Sequence, residues 1–116
     1  MEPIYELQAD ILKTLSHPRR LQIVHELAVA PCTVGRLAAN LGITQPNVSQ
    51  HLAVMRASGV VTAERIGREM RYRISDPDII AACGLMRHAL DRRLARLRDI
   101  SLEATALTPA VPAGRT

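Results

Sequence analysis

The stretch that decides the fold is TVGRLAANLGITQPNVSQHLAVMRASGVV, residues 33–61. Thr33 stands before a short apolar-patterned run and is a candidate N-cap for a helix. That helix should stop before Gly42, because glycine readily takes the left-handed conformation that ends many helices. Thr44 is placed to cap a second helix, which Ser58–Gly59 closes. The sequence therefore predicts two helices joined by a tight glycine turn.

Two more helices are predicted on the N-terminal side of this stretch. The first has apolar residues at spacings of one, three and four, which mark one helix face: Ile4, Leu7, Ile11, Leu12 and Leu15. Ser16 should cap the second helix, with Pro18 in its first turn and Pro31 beyond its end. Four helices are thus expected before the chain reaches its β-favouring segments.

A short β-hairpin and a long helix are predicted to follow. Residues 60–63 and 70–74 favour strands, and Gly67 lies at the tip of the segment between them. Ser75–Asp78 starts the last helix, whose apolar residues recur at helical spacing up to about Ile100. The order α-α-α-α-β-β-α is that of a winged helix-turn-helix, a mainly α fold with a small β-hairpin.

The composition limits the chain to one small domain. Its 116 residues are 47% hydrophobic and only 2% aromatic, which favours an aliphatic core between helices over a β-sandwich. We expect residues 1–103 to form the domain and residues 104–116, rich in Ala, Pro and Thr, to be a disordered tail. The first and last helices carry more apolar surface than so small a core can bury, which predicts a homodimer through these two helices.

No pattern in the sequence indicates an enzyme, a secreted protein or a membrane protein. The two cysteines are too few for a disulfide scaffold, and no N-terminal signal peptide is recognisable. No apolar run approaches the roughly 20 residues that cross a bilayer. Gly-rich phosphate loops, CxxC pairs and catalytic Ser/His/Asp orders are not found either. We therefore expect a cytoplasmic protein with no catalytic activity and no required cofactor.

Polar side chains on the fourth helix and arginines on the hairpin predict an interface with duplex DNA. A helix fits the major groove, and short amide, hydroxyl and imidazole groups can bond base edges or phosphates. On this helix the predicted DNA-binding residues are Thr44, Gln45, Asn47, Ser49, Gln50, His51 and Arg56. On the hairpin they are Arg65, Arg68 and Arg71, with Arg73 beside them. Strand alternation should divide these arginines between two faces, and the net charge of +4 suits a polyanionic partner.

Three segments together resemble a known family. They are LSHPRRLQIVHELA at residues 15–28, the stretch 33–61, and ERIGREMRYRISDP at residues 64–77. From about Leu12 to the end of the last helix the chain resembles the ArsR/SmtB family of bacterial winged-helix repressors. The resemblance implies a homodimer that packs its first and last helices together and binds a palindromic operator in double-stranded DNA. It also implies a repressor that leaves its operator when a metal, a metalloid or a thiol-reactive signal acts on it.

The metal-ligand positions implied by the resemblance hold few ligand atoms in this sequence. The third-helix positions of metalloid sensors correspond to Thr33, Gly35 and Ala38. None of the three supplies a thiolate. The last-helix positions of zinc, nickel and cobalt sensors correspond to Asp76, Asp78, Ala89 and Arg92. Asp76 and Asp78, with the neighbouring His88, are weak candidates for a metal ion, and helix capping is the simpler role for the two aspartates.

Cys32 and Cys83 are the remaining sensor candidates. They would serve for thiol redox, electrophile sensing or metal capture, with pairing open both within and between subunits. The simpler reading is a small buried side chain for Cys83 and a loop thiol for Cys32. Two alternatives therefore stay open, namely a constitutive repressor without a metal or thiol sensor and a winged-helix module that binds another protein.

Overall fold

The computed structural model describes residues 2–107, which contain five α-helices and three β-strands. In chain order these elements are α1 (Pro3–Leu15), α2 (Pro18–Val29), β1 (Cys32–Thr33), α3 (Val34–Leu41), α4 (Gln45–Ala57), β2 (Val61–Ile66), β3 (Glu69–Ile74) and α5 (Pro77–Leu107). The predicted order of helices and hairpin is confirmed. The structure adds β1, a strand too short to leave a pattern in the sequence.

The predicted caps of α3 and α4 are confirmed. Thr33 Oγ1 accepts a hydrogen bond of 3.2 Å from the backbone N–H of Arg36. Gly42 has a φ of 67°, and the N–H of the same residue donates to the carbonyl of Ala38. Thr44 Oγ1 accepts in the same way from the N–H of Asn47, at 3.4 Å. The short turn between α3 and α4 is therefore built by residues whose conformations the sequence indicates.

The predicted cap of α2 is wrong. His17, not Ser16, is the N-cap, and its Nδ1 accepts from the N–H of Arg19 at 3.2 Å. Ser16 instead ends α1, where its hydroxyl donates to the carbonyl of Lys13 at 2.7 Å. The two helices lie so close in sequence that one residue ends the first and the next residue begins the second.

The three strands form an antiparallel sheet in the order β1-β3-β2. The hairpin register pairs Val61 with Ile74 and Ile66 with Glu69, and Gly67 lies in the two-residue turn with a φ of 65°. Both strands extend further towards the turn than predicted, because charged residues on an exposed ribbon still pair through their backbones. At the other edge, Cys32 pairs with Tyr72.

An aliphatic core holds together the first of two units, which ends at Cys83. The buried apolar side chains are Leu15, Ile23, Val24, Leu27, Leu37, Ala38, Val48, Leu52, Met55, Val60, Val61 and Ile74. Ile79, Ile80 and Cys83 from the start of α5 pack against this cluster and are partly buried. Each fully buried aliphatic side chain contributes about 1.5–3 kcal/mol relative to an exposed one. The core thus holds α4 and the end of the hairpin opposite its turn in one compact unit.

α5 extends beyond the predicted end of the last helix. It contains 31 residues and is about 46 Å long at ~1.5 Å per residue. Residues 104–107 are therefore helical, which corrects the predicted start of the tail, while residues 108–116 lie outside the described residues. The regular apolar spacing ends near Ile100, but Leu, Glu and Ala continue to favour a helix after it. No helix within residues 2–107 is long and apolar enough to cross a membrane.

The second unit begins at Gly84, and its described part is the helical segment 84–107. Its exposed large apolar side chains are Leu85, Met86, Leu90, Leu94, Leu97, Ile100 and Leu102. Most of them recur at spacings of three and four and so lie on one side of α5. Leu94 is 63% exposed, so no part of residues 2–107 covers this side of the helix.

Candidate nucleic-acid interface

α4 has one buried side and one exposed side. Val48, Leu52 and Met55 are fully buried and follow each other at spacings of four and three. Successive residues of a helix are rotated by about 100°, so Gln50 and Ala53 project from the side opposite this buried stripe. Both are exposed. The core therefore holds α4 along one side and leaves the other side free to enter a groove.

The predicted DNA-binding residues of α4 and its cap are exposed, with one exception. The exposed ones are Thr44, Gln45, Asn47, Ser49, Gln50 and Arg56. Thr44 uses its hydroxyl oxygen as the helix cap. Gln45 lies against the first turn of α3, since a Cβ added at Gly35 would be 3.6 Å from its Nε2. The first turn of α3 therefore lies next to the side chain of Gln45, the first residue of α4.

His51 is the exception, because it is half-buried and held by groups from outside α4. Its Nδ1 accepts a hydrogen bond of 3.3 Å from Nε of Arg20. Its ring also meets the ring of His17 edge to face, with 4.7 Å between the centroids. Burial lowers the pKa of His51, and the positive charges of a protonated His17, of Arg20 and of Arg19 lower this pKa further. The neutral imidazole is therefore the favoured form.

Arg20 is the residue of this site that sequence reasoning missed. Besides the bond to His51, its Nη1 donates to the carbonyl of Thr14 at 3.1 Å. One guanidinium on α2 thus connects the end of α1 with α4. Arg20 and His51 are 31 positions apart in sequence, and no local pattern links them. The only available signal was that Arg20 lies next to Arg19 in a segment with few other charges.

The hairpin presents arginines on both faces and at the turn, as predicted. Residues directly opposite each other on paired strands share a face. Arg65 lies opposite Met70, whereas Arg71 lies opposite Glu64. Because side chains alternate along a strand, Arg65 and Arg71 are on opposite faces, and Arg68 lies in the two-residue turn. All three arginines are exposed. Arg71 has the acidic Glu64 opposite it, whereas Arg65 lies opposite Met70 and Arg68 lies in the turn, so neither of these two arginines has an acidic residue directly across the hairpin.

The two cysteines are free thiols, and both are half-buried. Cys32 lies in β1, directly before the residue that caps α3, and Cys83 lies on α5. Both pack against the core cluster of the first unit. Burial raises the pKa of the Cys83 thiol, which lowers its thiolate fraction at neutral pH.

The acidic metal candidates stand at the start of α5. Asp76 Oδ1 accepts from the N–H of Asp78 at 2.8 Å, so the expected capping by Asp76 is confirmed. Asp78 lies in the first turn, where a carboxylate complements the helix dipole. His88 is exposed further along α5. Over the described range 2–107 no three His, Cys, Asp or Glu side chains are grouped closely enough to hold a metal ion.

A family profile matches the part of the chain that contains the helix-turn-helix. Residues 17–63 match the family described as "Bacterial regulatory protein, arsR family". This range begins at the cap of α2, includes α3 and α4, and ends within β2. The match therefore covers both His51 and the arginine that bonds it.

Individual proteins are similar over more of the chain. The HTH-type transcriptional regulator Rv0081 of Mycobacterium tuberculosis is 39% identical over 110 residues, which cover 90% of this chain and 96% of that protein. Its crystal structure has a TM-score of 0.73 at 40% identity, with 83% of this chain and 97% of that chain covered. The HTH-type transcriptional repressor SmtB of the same organism is 42% identical over 73 residues, or 63% of this chain and 54% of that protein.

A solution structure is similar to the fold as a whole. It is the homodimeric winged helix-turn-helix DNA-binding domain of a possible ArsR-family regulator from Mycobacterium bovis. Its TM-score is 0.76 at 29% identity, with 81% of this chain and 87% of that chain covered. The helix-turn-helix and the hairpin described above are thus the two parts of a winged helix-turn-helix fold.

Proposed function

This chain belongs to the ArsR family of bacterial winged helix-turn-helix transcriptional regulators, and from that premise we propose that it is a homodimeric repressor of a palindromic operator. Membership of this family makes the chain a DNA-binding regulator and not an enzyme. The observation that carries the proposal is the exposed polar side of α4 beside an arginine-bearing hairpin. Similarity to a protein named as a transcriptional repressor supports the direction of regulation.

In the proposed complex each subunit places α4 in the major groove of one half-site. Asn47, Ser49 and Gln50 are exposed there and offer amide and hydroxyl groups to base edges. The hairpin lies along the flanking backbone, where Arg65 and Arg68 contact phosphates. A two-fold dimer then meets two half-sites that are related by the same symmetry, which is why the operator is palindromic.

Arg68→Ala tests the role of the hairpin. We expect it to weaken binding to all duplexes by a similar factor, because a phosphate contact carries no base information. The slope of log K against log salt should become shallower by about 0.9 for each lost phosphate contact. Fluorescence anisotropy on duplexes tiled across the DNA upstream of the coding sequence, and on a random duplex, measures both effects over a series of salt concentrations.

Arg98→Ala is the matched control, since it removes the same charge from an exposed position on α5. It should leave the salt slope unchanged. An Arg68→Ala variant whose affinity and salt slope equal those of the unaltered protein would remove the hairpin from the interface. If the unaltered protein bound no duplex above the random one, the proposal of a specific repressor would fail, and a protein-binding role would replace it.

A signal that reacts at Cys32 or Cys83 is proposed to release the repressor. Both thiols are half-buried and pack on the core, so an added group or a bound metal ion would lie next to core side chains. Cys32 also pairs with β3 and adjoins the cap of α3. A change at Cys32 is therefore transmitted directly to the helix-turn-helix.

Cys32→Ser and Cys83→Ser test this proposal. The DNA complex is titrated with divalent metals, arsenite, a persulfide and peroxide, and anisotropy reports its dissociation. We expect at least one agent to release the unaltered protein and one of the two substitutions to abolish that response. Release that both variants retain would assign the signal to another site. If no agent released the unaltered protein, it would be a constitutive repressor.

A further inference from the structure

We propose that Arg20 is a positioning residue for DNA recognition, because its bond to Nδ1 of His51 fixes this imidazole in the tautomer that offers its Nε2–H to DNA. This inference rests on the proposed function for the DNA itself. The tautomer, however, is a property of the free protein and is tested separately.

The hydrogen bond between Arg20 and His51 has only one possible direction. Arg20 Nε is always protonated and can only donate, so His51 Nδ1 must accept through its lone pair. An imidazole whose Nδ1 accepts and which is neutral carries its proton on Nε2. His51 is therefore a hydrogen-bond donor at Nε2 and at no other ring nitrogen.

The Nε2 donor of His51 is available for another partner. Within residues 2–107 His51 Nε2 has no hydrogen-bond partner, and no buried side-chain nitrogen or oxygen of the same residues lacks one. The Nε2–H is therefore not fully buried. His51 is also one turn after Asn47, which places the two side chains on the same flank of α4. The donor thus lies beside an exposed amide of the predicted reading helix.

Contacts with Arg20 and His17 hold the imidazole of His51 in a fixed orientation. Arg20 is itself anchored, because its Nη1 donates to the carbonyl of Thr14. The His17 ring packs edge to face on His51, and its own Nδ1 accepts from the N–H of Arg19. The imidazole of His51 is therefore held by a guanidinium on one nitrogen and by an aromatic ring at its side. A preoriented donor loses less conformational entropy on binding than a free side chain does.

Nearby positive charge opposes the protonation of His51. This charge comes from His17 when that ring is protonated, and permanently from Arg20 and Arg19. A proton on Nδ1 would also remove the acceptor of the Arg20 bond. The neutral donor form therefore persists below the ordinary pH of histidine titration. The acceptor on DNA is a base-edge oxygen or nitrogen or a phosphate oxygen, since each of these accepts from an imidazole N–H.

Arg20→Met is the variant that tests the tautomer, and Arg19→Met is its control. Methionine keeps the approximate length of the aliphatic part of the arginine side chain and removes the donors and the charge. Arg19 carries the same charge next to Arg20, but its guanidinium bonds Gln22 and not His51. Long-range 1H–15N spectra of the free dimer report which ring nitrogen of His51 is protonated, and a pH titration of the same signals gives its pKa.

In the unaltered protein we expect the Nε2–H tautomer to dominate and the pKa of His51 to lie below its ordinary value. Arg20→Met should produce a mixture of both tautomers and raise this pKa. Arg19→Met should keep the tautomer and change the pKa less, and Arg20→Lys should restore part of the preference. A dominant Nδ1–H tautomer, or equal spectra for Arg20→Met and the unaltered protein, would overturn the proposal.

Measurements of DNA affinity use the same variants together with His51→Gln, which keeps a hydrogen-bond donor near the position of Nε2. Arg20→Met should reduce operator affinity about tenfold more than Arg19→Met. In the His51→Gln background the two arginine substitutions should have equal effects, because the amide needs no tautomer to be fixed.

Loss of affinity confined to the operator identifies a base edge as the acceptor, and equal loss on a random duplex identifies a phosphate. An Arg20→Met effect that persists in the His51→Gln background would show a purely structural role and refute the proposal. Failure of the unaltered protein to bind any duplex specifically would instead refute the proposed function, and the spectra would still decide the tautomer.

Discussion

Leu90→Glu/Leu94→Glu should convert the proposed dimer into monomers and weaken binding to a two-half-site operator by about 100-fold or more. Both leucines are more than half exposed in the single chain and lie on the same apolar side of α5. Burying two carboxylates at an apolar interface without partners is strongly unfavourable. A monomer can use only one half-site at a time, so it loses the gain in affinity that comes from linking two binding modules.

Sedimentation equilibrium measures the association, and anisotropy on duplexes with one and two half-sites measures the binding. Affinity for the single half-site should change little, because α4 and the hairpin belong to the first unit. The matched control is Ala81→Glu/His88→Glu, which adds two carboxylates to exposed positions on the opposite side of α5. A Leu90→Glu/Leu94→Glu protein that remains dimeric would show that this side of α5 is not the dimer interface.

The apolar surface of α1 supports the same proposal from the other end of the chain. Its exposed large apolar side chains are Ile4, Tyr5, Leu7 and Leu12. Ile4, Leu7 and Leu12 belong to the apolar face predicted for the first helix, and within the described residues they are more than half exposed. Grouped exposed apolar side chains of this kind often mark a protein–protein interface. The homodimeric structure of a similar domain agrees with a second copy as the cover.

Leu52→Ala should lower the free energy of unfolding by about 2–5 kcal/mol. Leu52 is fully buried between Val48 and Met55 on the inner side of α4, so its truncation removes apolar contacts and leaves a cavity in the only core of the first unit. A domain of this size is stable by about 5–15 kcal/mol in total. The substitution should therefore also weaken DNA binding, since α4 loses one of the three buried side chains that hold it against the core.

Urea denaturation followed by circular dichroism measures this effect as a lower midpoint at an unchanged slope. Protein concentrations must be equal, because dimerisation itself adds to the apparent stability. Val54→Ala is the control on the same helix, since Val54 is 42% exposed and should cost far less. If Leu52→Ala changed the midpoint no more than Val54→Ala does, α4 would not be held by its buried stripe.

The parts of the fold that the sequence predicts correctly depend on local chemistry. Thr33 and Thr44 precede helices whose first N–H groups need an acceptor, and Gly42 and Gly67 stand where a turn requires positive φ. Each of these residues acts on backbone within a few positions of itself. One local prediction nevertheless failed at Ser16, because that hydroxyl can satisfy either the end of α1 or the start of α2.

The candidate DNA-binding residues could be identified in sequence because they are defined by exposure on known elements. Helical spacing separates Gln50 and Ser49 from the buried Val48, and strand alternation separates Arg65 from Arg71. Both rules relate a residue to its neighbours alone. They do not predict which residues of other helices or strands a polar side chain contacts.

The sequence by itself therefore determined the order of the helices and the hairpin, the caps of α3 and α4, and the polar side of α4, since short-range propensity and periodicity control all of these. Only the tertiary structure decided that β1 joins the sheet beside Tyr72 and that Arg20 holds His51 across 31 positions. Such pairs form because a packed core brings distant segments together, and the free energy that selects them belongs to the whole fold and not to any local stretch.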